Sequence, residues 1–179
     1  MTAHPAYAPL TDRQIQILGA WATVAEEERM GVRLSDDEAW DVLASSHTGV
    51  FTSLRADGFP VSLPVWFVVA DREVWISGAA STYKFRRVRR DNRVSFLVES
   101  GLKWSELRAV QFTGRAVLES APDWARVDTL FDAKYRDFRT PRPDMPASAR
   151  ARYDAARALL RLRPDGDLLT WDNARLEGQ

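Results

Sequence analysis

The stretch with the most chemical content runs from Trp75 to Arg90. There an apolar strand pattern gives way to a loop of small residues and then to a basic helical pattern. Ser81, Thr82 and Lys84 stand where that helix begins. The first N–H groups of a helix have no partner inside it, so hydroxyls and an ammonium beside them form a site suited to a phosphate. From spacing alone, the same hydroxyls could instead cap a surface helix whose arginines face solvent.

Composition narrows the chemistry that the rest of the chain can supply. With no cysteine among 179 residues, disulfides, thiolate metal sites and a thiol nucleophile are excluded. His4 and His47 are the only histidines, so we expect no multi-histidine metal site and predict no bound metal. Basic and acidic residues balance at 25 each, which gives no overall attraction to nucleic acid or acidic membranes.

The sequence also bears on location. Met1 to Leu10 has neither the basic start nor the apolar centre of a signal peptide. No run approaches the roughly 20 apolar residues that a membrane-spanning helix needs. We therefore expect a soluble, cytoplasmic protein.

Hydrophobic periodicity divides the chain into three zones, of which the first is helical. Capping-box patterns at Thr11 and Ser35 predict two helices, one running to about Glu28 and one ending near Ser45. The residues expected to face inward from the second helix are Trp40, Leu43 and Ala44.

The middle zone, from Gly49 to Leu118, is typical of β structure. Ala56-Asp57-Gly58 is a hairpin signal, and the segment from Thr82 to Arg90 predicts one inserted helix. The predicted strands run from Gly49 to Leu54, Val61 to Ala70, Glu73 to Ser77, Arg93 to Glu99 and Val110 to Leu118. Antiparallel strands around one helix favour a small barrel over a parallel sheet.

In the third zone the hydrophobic pattern again predicts helices. An amphipathic helix carries apolar residues at helical spacing from Trp124 to Phe138. Ser148 to Leu160 predicts a second helix, and Leu168 to Trp171 predicts a last strand.

Five short motifs occur in order at family-like spacing within residues 35–120. They are Gly58-Phe59-Pro60, Pro64-Val65-Trp66-Phe67, Ser81-Thr82-Tyr83-Lys84, Arg90-Asp91-Asn92-Arg93-Val94 and Val110-Gln111-Phe112-Thr113-Gly114-Arg115-Ala116. Together they resemble the pyridoxamine 5′-phosphate oxidase-like split-barrel family, which binds flavin mononucleotide (FMN) or the deazaflavin coenzyme F-420. The resemblance implies a mainly β fold, a six-stranded antiparallel split β-barrel over residues 35–179 with N-terminal and C-terminal helices. Residues 1–34 would be a helical extension.

The resemblance also implies a site. In that family the cofactor lies in a cleft between the two protomers of a homodimer, and the serine-to-lysine loop holds its phosphate. The residues implied for the cofactor are Ser81, Thr82 and Lys84 at the phosphate, Pro64, Val65 and Trp66 along the ring, Ser77 and Gly78 near the ribityl chain, and Trp171 from the closing strand. Arg175 would line the substrate side.

Departures from the family pattern refine the expected activity. True pyridoxamine phosphate oxidases carry an arginine and a lysine where this chain has Leu63 and Val68, and Ala109 stands in place of a glutamine. We therefore expect no vitamin B6 oxidation and slightly favour F-420 over FMN. The resemblance implies hydride transfer between the cofactor ring and a small organic acceptor. No catalytic side chain is assigned, although Tyr83, Tyr135 and Asp123 are conceivable proton donors.

Three alternatives stay open at this point. The protein could carry or sequester a cofactor without turnover. It could be a haem-binding split barrel, for which His47 is the one plausible ligand. Arg86, Arg87, Arg89, Arg90 and Arg93 could bind nucleic acid, but the sequence shows no aromatic stacking platform beside them, and we predict no nucleic-acid partner.

Overall fold

A computed structural model of the protein describes Thr11 and residues 32–176, without the side chains of Arg152 and Tyr153. The helix predicted from Thr11 to Glu28 lies outside the described residues. The helices are α1 (Asp36–Ser45), α2 (Tyr83–Arg90), α3 (Trp124–Tyr135) and α4 (Ala147–Tyr153). The strands are β1 (Gly49–Leu54), β2 (Pro60–Val65), β3 (Val68–Ala70), β4 (Glu73–Ala79), β5 (Arg93–Ser100), β6 (Arg108–Leu118), β7 (Arg157–Pro164) and β8 (Leu169–Asp172).

All strand pairs are antiparallel, and the sheet curls into a half-open barrel in the order β2-β1-β5-β6-β7-β4-β3. The barrel is split at the long strand β6. One edge of β6 pairs with β5 along its length, and the other edge pairs with two different strands. Arg108 to Gln111 pair with β8, and Gly114 to Leu118 pair with β7. The predicted split barrel is confirmed, with eight strands rather than six.

The strand predicted from Val61 to Ala70 is two strands, interrupted at residues 66–67. The Tyr135 hydroxyl causes the interruption, because it hydrogen-bonds the backbone N–H and carbonyl of Phe67 in place of a neighbouring strand. It accepts the Phe67 N–H at 2.9 Å and lies 2.6 Å from the Phe67 carbonyl oxygen. A contact between residues this far apart in sequence leaves no local signal.

The helix predicted from Ser148 to Leu160 is wrong in its second half. Helix α4 ends at Tyr153, and the chain continues as β7 between β6 and β4. The alanines and leucines of this stretch favour a helix in isolation. In the fold Ala158, Leu159 and Leu160 are buried on both faces of the sheet, so the run lacks the alternation typical of a half-exposed strand.

Two apolar clusters hold the sheet. The interior of the barrel is filled by aromatic rings, notably Phe51, Phe67, Phe96 and Phe112. On the outer face of β3, β4 and β7, helix α3 buries Val127, Phe131 and Tyr135 against Trp75 and Leu159. Helix α3 is therefore the element that builds a second layer over the end of β4.

Helix α1 closes another side of the barrel. The predicted capping box is confirmed, since the Ser35 backbone N–H donates to Glu38 at 2.7 Å and the Glu38 N–H donates to the Ser35 hydroxyl at 3.4 Å. Ala39 and Leu43 are buried, whereas Ala44 is exposed and does not face inward as predicted. None of the helices in the described part of the chain is long and apolar enough to cross a bilayer.

Lys134 on α3 is half-buried, and no carboxylate among the described residues forms a salt bridge with its ammonium. Its Nζ lies 3.9 Å from the centre of the Phe67 ring and has no hydrogen-bond partner among the described residues. Burial lowers the pKa of Lys134 from 10.5 to about 8. The folded protein therefore releases this proton at lower pH than the unfolded chain, and stability rises with pH from about 8 to 10.5.

We expect Lys134→Met to raise the free energy of unfolding at pH 7 by about 1 kcal/mol, because water still reaches the side chain and the Phe67 ring offsets part of the desolvation cost. The advantage should shrink as the pH is raised to 10, where the folded wild type has already lost the charge. Urea unfolding at both pH values measures this. Lys103→Met, at an exposed lysine, is the control, and a stability gain of the same size in both variants would contradict the assignment.

Candidate functional site

The site is built at the turn from β4 into α2. The strand ends at Ala79, and the Thr82 N–H donates to the Ala79 carbonyl at 3.1 Å before the helix begins at Tyr83. Thr82 is the N-cap residue, yet its hydroxyl makes no capping hydrogen bond. That Oγ1 is buried and has no partner among the described residues. A buried hydroxyl without a partner is costly, so Thr82 is a position at which a ligand atom would be stabilised.

Lys84 places an ammonium at the same turn. Its Nζ lies 5.3 Å from the centre of the Phe85 ring, and no carboxylate within residues 32–176 forms a salt bridge with it. A Cβ on Gly78 would lie only 3.1 Å from this Nζ, so the bare glycine makes the room that the ammonium occupies. Burial lowers the pKa of Lys84, since nothing nearby compensates the charge. A bound anion would satisfy both the hydroxyl and the ammonium.

A cavity of about 800 Å³ opens beside this turn, between the end of β4 and α3. At the β4 end it is lined by Ser77, Gly78, Ala79 and Thr82, and charged side chains from α3 and later segments complete its polar lining. Its apolar side is formed by Trp66, Val127 and Phe131. The structure thus brings together Trp66, Ser77, Gly78 and Thr82, which the sequence predicts as cofactor residues, around a space with a polar end and an aromatic wall.

Trp66 is held in that wall by a residue that the sequence did not assign to the site. Its indole stacks on the Tyr135 ring at 4.5 Å and 4°. Tyr135 is itself fixed by its hydroxyl, which also lies 2.9 Å from the His47 carbonyl oxygen. Burial raises the pKa of Tyr135, and its proton is held between two backbone carbonyls. Tyr135 is therefore a support for Trp66 rather than a proton donor.

Comparison with known proteins identifies the family. The family model for pyridoxamine 5′-phosphate oxidase matches residues 35–166. The chain belongs to this split-barrel family. A search of curated proteins found no match.

Solved structures of split-barrel proteins share the fold. A conserved hypothetical protein from Mycobacterium tuberculosis is 28% identical, with a TM-score of 0.67 over 83% of this chain and 91% of that one. An FAD-binding protein from Mesorhizobium loti is 21% identical, with a TM-score of 0.57 over 78% and 96% of the two chains. An F-420 reductase is 20% identical, with a TM-score of 0.53 over 70% and 92%.

Not every residue implied by the family resemblance lines this cavity. Lys84 lies next to Gly78 but is not part of the cavity lining, Ser81 and Pro64 are exposed, and Val65 is buried at the end of β2. Trp171 lies on β8 opposite Ala109, and the Arg175 guanidinium binds the Arg33 carbonyl oxygen at 2.7 Å near the start of α1. A role at the cofactor for these residues stays a prediction.

Four charged residues at the cavity were missed by sequence reasoning. Asp128 and Asp132 lie one turn apart on α3, and Arg157 and Arg139 pair with them. Arg157 contacts Asp128 at 2.5 Å, and its guanidinium lies 4.2 Å from the centre of the Trp124 ring. The spacing of the aspartates was the available signal; Arg139 follows shortly after α3, whereas Arg157 comes from the more distant strand β7.

The residues considered as a haem ligand or as proton donors, His47, Asp123 and Tyr83, do not line this cavity. His47 is exposed, with its ring 4.4 Å from the Phe138 ring and 5.7 Å from Trp66. Asp123 accepts the Arg126 N–H as the N-cap of α3, and Tyr83 is exposed on α2. Within residues 32–176 no cluster of three or more His, Cys, Asp or Glu side chains could hold a metal ion.

The family positions that would bind a B6 phosphate are apolar in the structure as well. Leu63 lies opposite Phe51 on β2, and Val68 is buried opposite Trp75 on β3. Desolvating a phosphate without a charged partner is costly. We therefore expect no peroxide production from pyridoxine phosphate in an oxidase assay with added FMN, and steady flavin-dependent turnover would contradict this prediction.

Proposed function

We propose that the protein is a flavin- or deazaflavin-dependent oxidoreductase that binds F-420 or FMN in the cavity between β4 and α3. One observation carries the proposal. Among the described residues, the buried Thr82 hydroxyl has no hydrogen-bond partner and the Lys84 ammonium has no salt bridge, and both residues belong to a helix start beside an aromatic-walled cavity. That combination suits a ligand with a phosphate at one end and a flat ring at the other. Relatives of the same fold bind FAD or are named for F-420.

The residues of this chain would bind the cofactor, orient it and exclude water from the cavity. Thr82 and Lys84 would hold the phosphate, and Ser77 with the backbone of Gly78 would lie along the linker to the ring. Trp66, which stacks on Tyr135, would stack against the cofactor ring system. Val127 and Phe131 would exclude water from that ring. A bound flavin or deazaflavin supplies hydride transfer to an activated C=C, C=N or quinone-like acceptor. We assign no proton donor among the described residues, so solvent would supply the proton to the acceptor.

The proposal is tested by anaerobic turnover. We expect reduced F-420 or FMN to be reoxidised faster in the presence of the protein and a quinone-like acceptor than in its absence. Lys84→Ala should slow this reoxidation at subsaturating cofactor. A tightly bound cofactor with no reoxidation across C=C, C=N and quinone acceptors would instead support a carrier without turnover.

We also propose that the protein works as a homodimer in the cytoplasm. The face of β1, β5 and β6 that points away from the barrel core carries the half-buried pair Val50 and Leu97. Beside them Thr52 and Ser62 on β2 are hydrogen-bonded at 2.8 Å, so this part of the face presents small uncharged groups. Such a face suits contact with a second copy. In that dimer Trp171 and Arg175 could approach the partner's cavity.

Light scattering should therefore give about twice the chain mass at low micromolar concentration. Leu97→Asp should shift the population to monomer, because it buries an unpaired carboxylate at the contact. Lys103→Asp, at the exposed end of β5 and β6, is the control for added negative charge. A clean wild-type monomer would contradict the dimer and the shared cleft together.

A further inference from the structure

We infer that Arg139 binds a carboxylate of the acceptor substrate inside the cavity between β4 and α3. The inference rests on the proposed function and specifies its substrate class. The acceptors are small acids in which a reducible C=C, C=N or quinone group is attached to a carboxylate. Arg157 adds a second positive charge to the same part of the cavity.

Arg139 reaches the cavity from the segment that joins α3 to α4. It follows a short 3₁₀ turn over Arg136–Phe138, and its backbone N–H lies 3.4 Å from the Arg136 carbonyl oxygen. Arg139 lines the same space as Trp66 and Thr82, the residues proposed for the cofactor ring and phosphate. A cation is therefore present in the proposed active site that the cofactor phosphate does not account for.

The guanidinium of Arg139 is fixed through one nitrogen and free at the other two. Its Nη1 donates to the Asp132 carboxylate. Within residues 32–176 its Nε and Nη2 have no hydrogen-bond partner. The N–H groups of Nε and Nη2 lie along one edge of the planar guanidinium, and this fork matches the two oxygens of a carboxylate. The free edge of Arg139 therefore suits a bidentate carboxylate.

Arg157 brings a second cation to the same place. It pairs with Ala79 across the β4–β7 ladder, so its side chain leaves the sheet on the same face as that of Ala79. Asp128 accepts from its Nη1 at 2.5 Å and from its Nη2 at 3.1 Å. The hydrogen bonds and charge of Arg157, and then the charge of Arg139, lower the pKa of Asp128. Both guanidiniums thus lie near one carboxylate at the cavity.

Folding stability explains little of this cluster. The side chains of Arg139 and Arg157 are 40% and 39% exposed, so their ion pairs are screened by water and contribute little to folding. An acceptor bound in the cavity would remove water from the free edge of Arg139. A carboxylate replaces the hydrogen bonds of that water, whereas an apolar group at the same position leaves the N–H groups unpaired. The arrangement therefore favours acids over neutral acceptors.

The aspartates do not offer the same opportunity to a cationic substrate. Both oxygens of Asp128 accept from Arg157, and Asp132 already accepts from Arg139. A cation in the cavity would also lie near both guanidiniums, whose charges repel it. The uncommitted groups of the cluster are hydrogen-bond donors, and they select an anion.

The test uses two acceptors that differ by one charge, a para-benzoquinone with a propionate side chain and its methyl ester. Wild type, loaded with reduced F-420 or FMN according to which it binds, is assayed anaerobically with each. The main variant is Arg139→Gln/Asp132→Asn, which removes the guanidinium without changing the net charge of the cavity. Asp132→Asn alone keeps Arg139 and removes the competing carboxylate.

Arg72→Gln is the control for loss of a paired arginine. Arg72 also pairs with aspartates, Asp36 and Asp37, but it lies at the β3–β4 turn, away from the end of β4 that lines the cavity. Thermal unfolding of each variant verifies the fold, and cofactor titration measures cofactor affinity separately from acceptor kinetics.

We expect wild type to prefer the acid over the ester by about tenfold or more in kcat/KM, mainly through KM. The double variant should lose this preference, with kcat/KM for the acid down about ten- to a hundredfold and for the ester within about threefold of wild type. Its cofactor affinity should change less than about threefold. Asp132→Asn and Arg72→Gln should keep the preference.

Several results would overturn the inference while the proposed function stands. They are equal kcat/KM for acid and ester in wild type, a preference that survives in the double variant, or loss of the preference in Asp132→Asn alone. A double variant that loses cofactor affinity and keeps its acceptor preference would show that Arg139 binds an anion of the cofactor. If wild type accelerates the reduction of neither quinone, the proposed function fails and the inference fails with it.

Discussion

Lys84→Ala should weaken binding of F-420 or FMN by roughly tenfold to more than a hundredfold, the usual cost of one charge-assisted contact of about 1.5–3 kcal/mol. The apo protein should keep its fold, with a melting temperature that stays level or rises slightly. The Lys84 side chain is partly buried, its ammonium lies close to Gly78 and forms no salt bridge within residues 32–176, and burial lowers its pKa. We therefore expect it to add nothing to the stability of the apo protein. Titration followed by absorption and thermal unfolding without cofactor measure the two effects.

Lys103→Ala is the matched control, because its side chain is 79% exposed and its one salt bridge within residues 32–176 is to Glu106. Gly78→Ala offers a second route to the same site: the added Cβ would lie 3.1 Å from the Lys84 Nζ and must displace it. It should therefore reproduce part of the affinity loss with the lysine still present. Unchanged affinity in Lys84→Ala, or collapse of its apo fold, would mean that Lys84 is structural and would remove the phosphate assignment.

Tyr135→Phe should lower the free energy of unfolding by about 2–3 kcal/mol, because it leaves the buried Phe67 N–H and the nearby carbonyls without their shared partner. The ring remains, so Trp66 keeps its stacking partner. Cofactor affinity measured well below the melting temperature should therefore change little. Urea unfolding and cofactor titration separate stability from binding.

Tyr135→Leu is the companion variant, since it removes both the hydroxyl and the ring that stacks on Trp66 at 4.5 Å. It should be less stable than Tyr135→Phe and should also bind cofactor more weakly. Equal affinity in the two variants would show that the position of Trp66 does not depend on Tyr135. A stability loss below about 0.5 kcal/mol in Tyr135→Phe would show that water replaces the hydroxyl.

Much of the fold could be predicted from local sequence patterns. The capping box at Ser35 begins α1, and the turn with Gly58 at a φ of 84° joins β1 to β2 as its sequence predicts. The change from apolar alternation to a basic helical pattern places the turn before Tyr83 correctly. These features depend on neighbouring residues only, so sequence alone specifies them.

What sequence reasoning missed depends on distant contacts. The β7 segment has a helix-forming composition, and only its position between β6 and β4 makes it a strand. The break at Phe67 is made by Tyr135, and the pair of Arg157 with Asp128 joins β7 to α3. Such pairings need the tertiary fold, and each of them shapes the cavity.

The central claim is that this cavity binds a flavin or deazaflavin through its phosphate. The most direct measurement is the absorption spectrum of purified wild type titrated with F-420 and with FMN, with inorganic phosphate as competitor. We predict a saturable shift of the ring absorption for at least one cofactor at micromolar concentration, weakened by phosphate and by Lys84→Ala. An unchanged spectrum with both cofactors, or a shift that Lys84→Ala leaves intact, would contradict the claim.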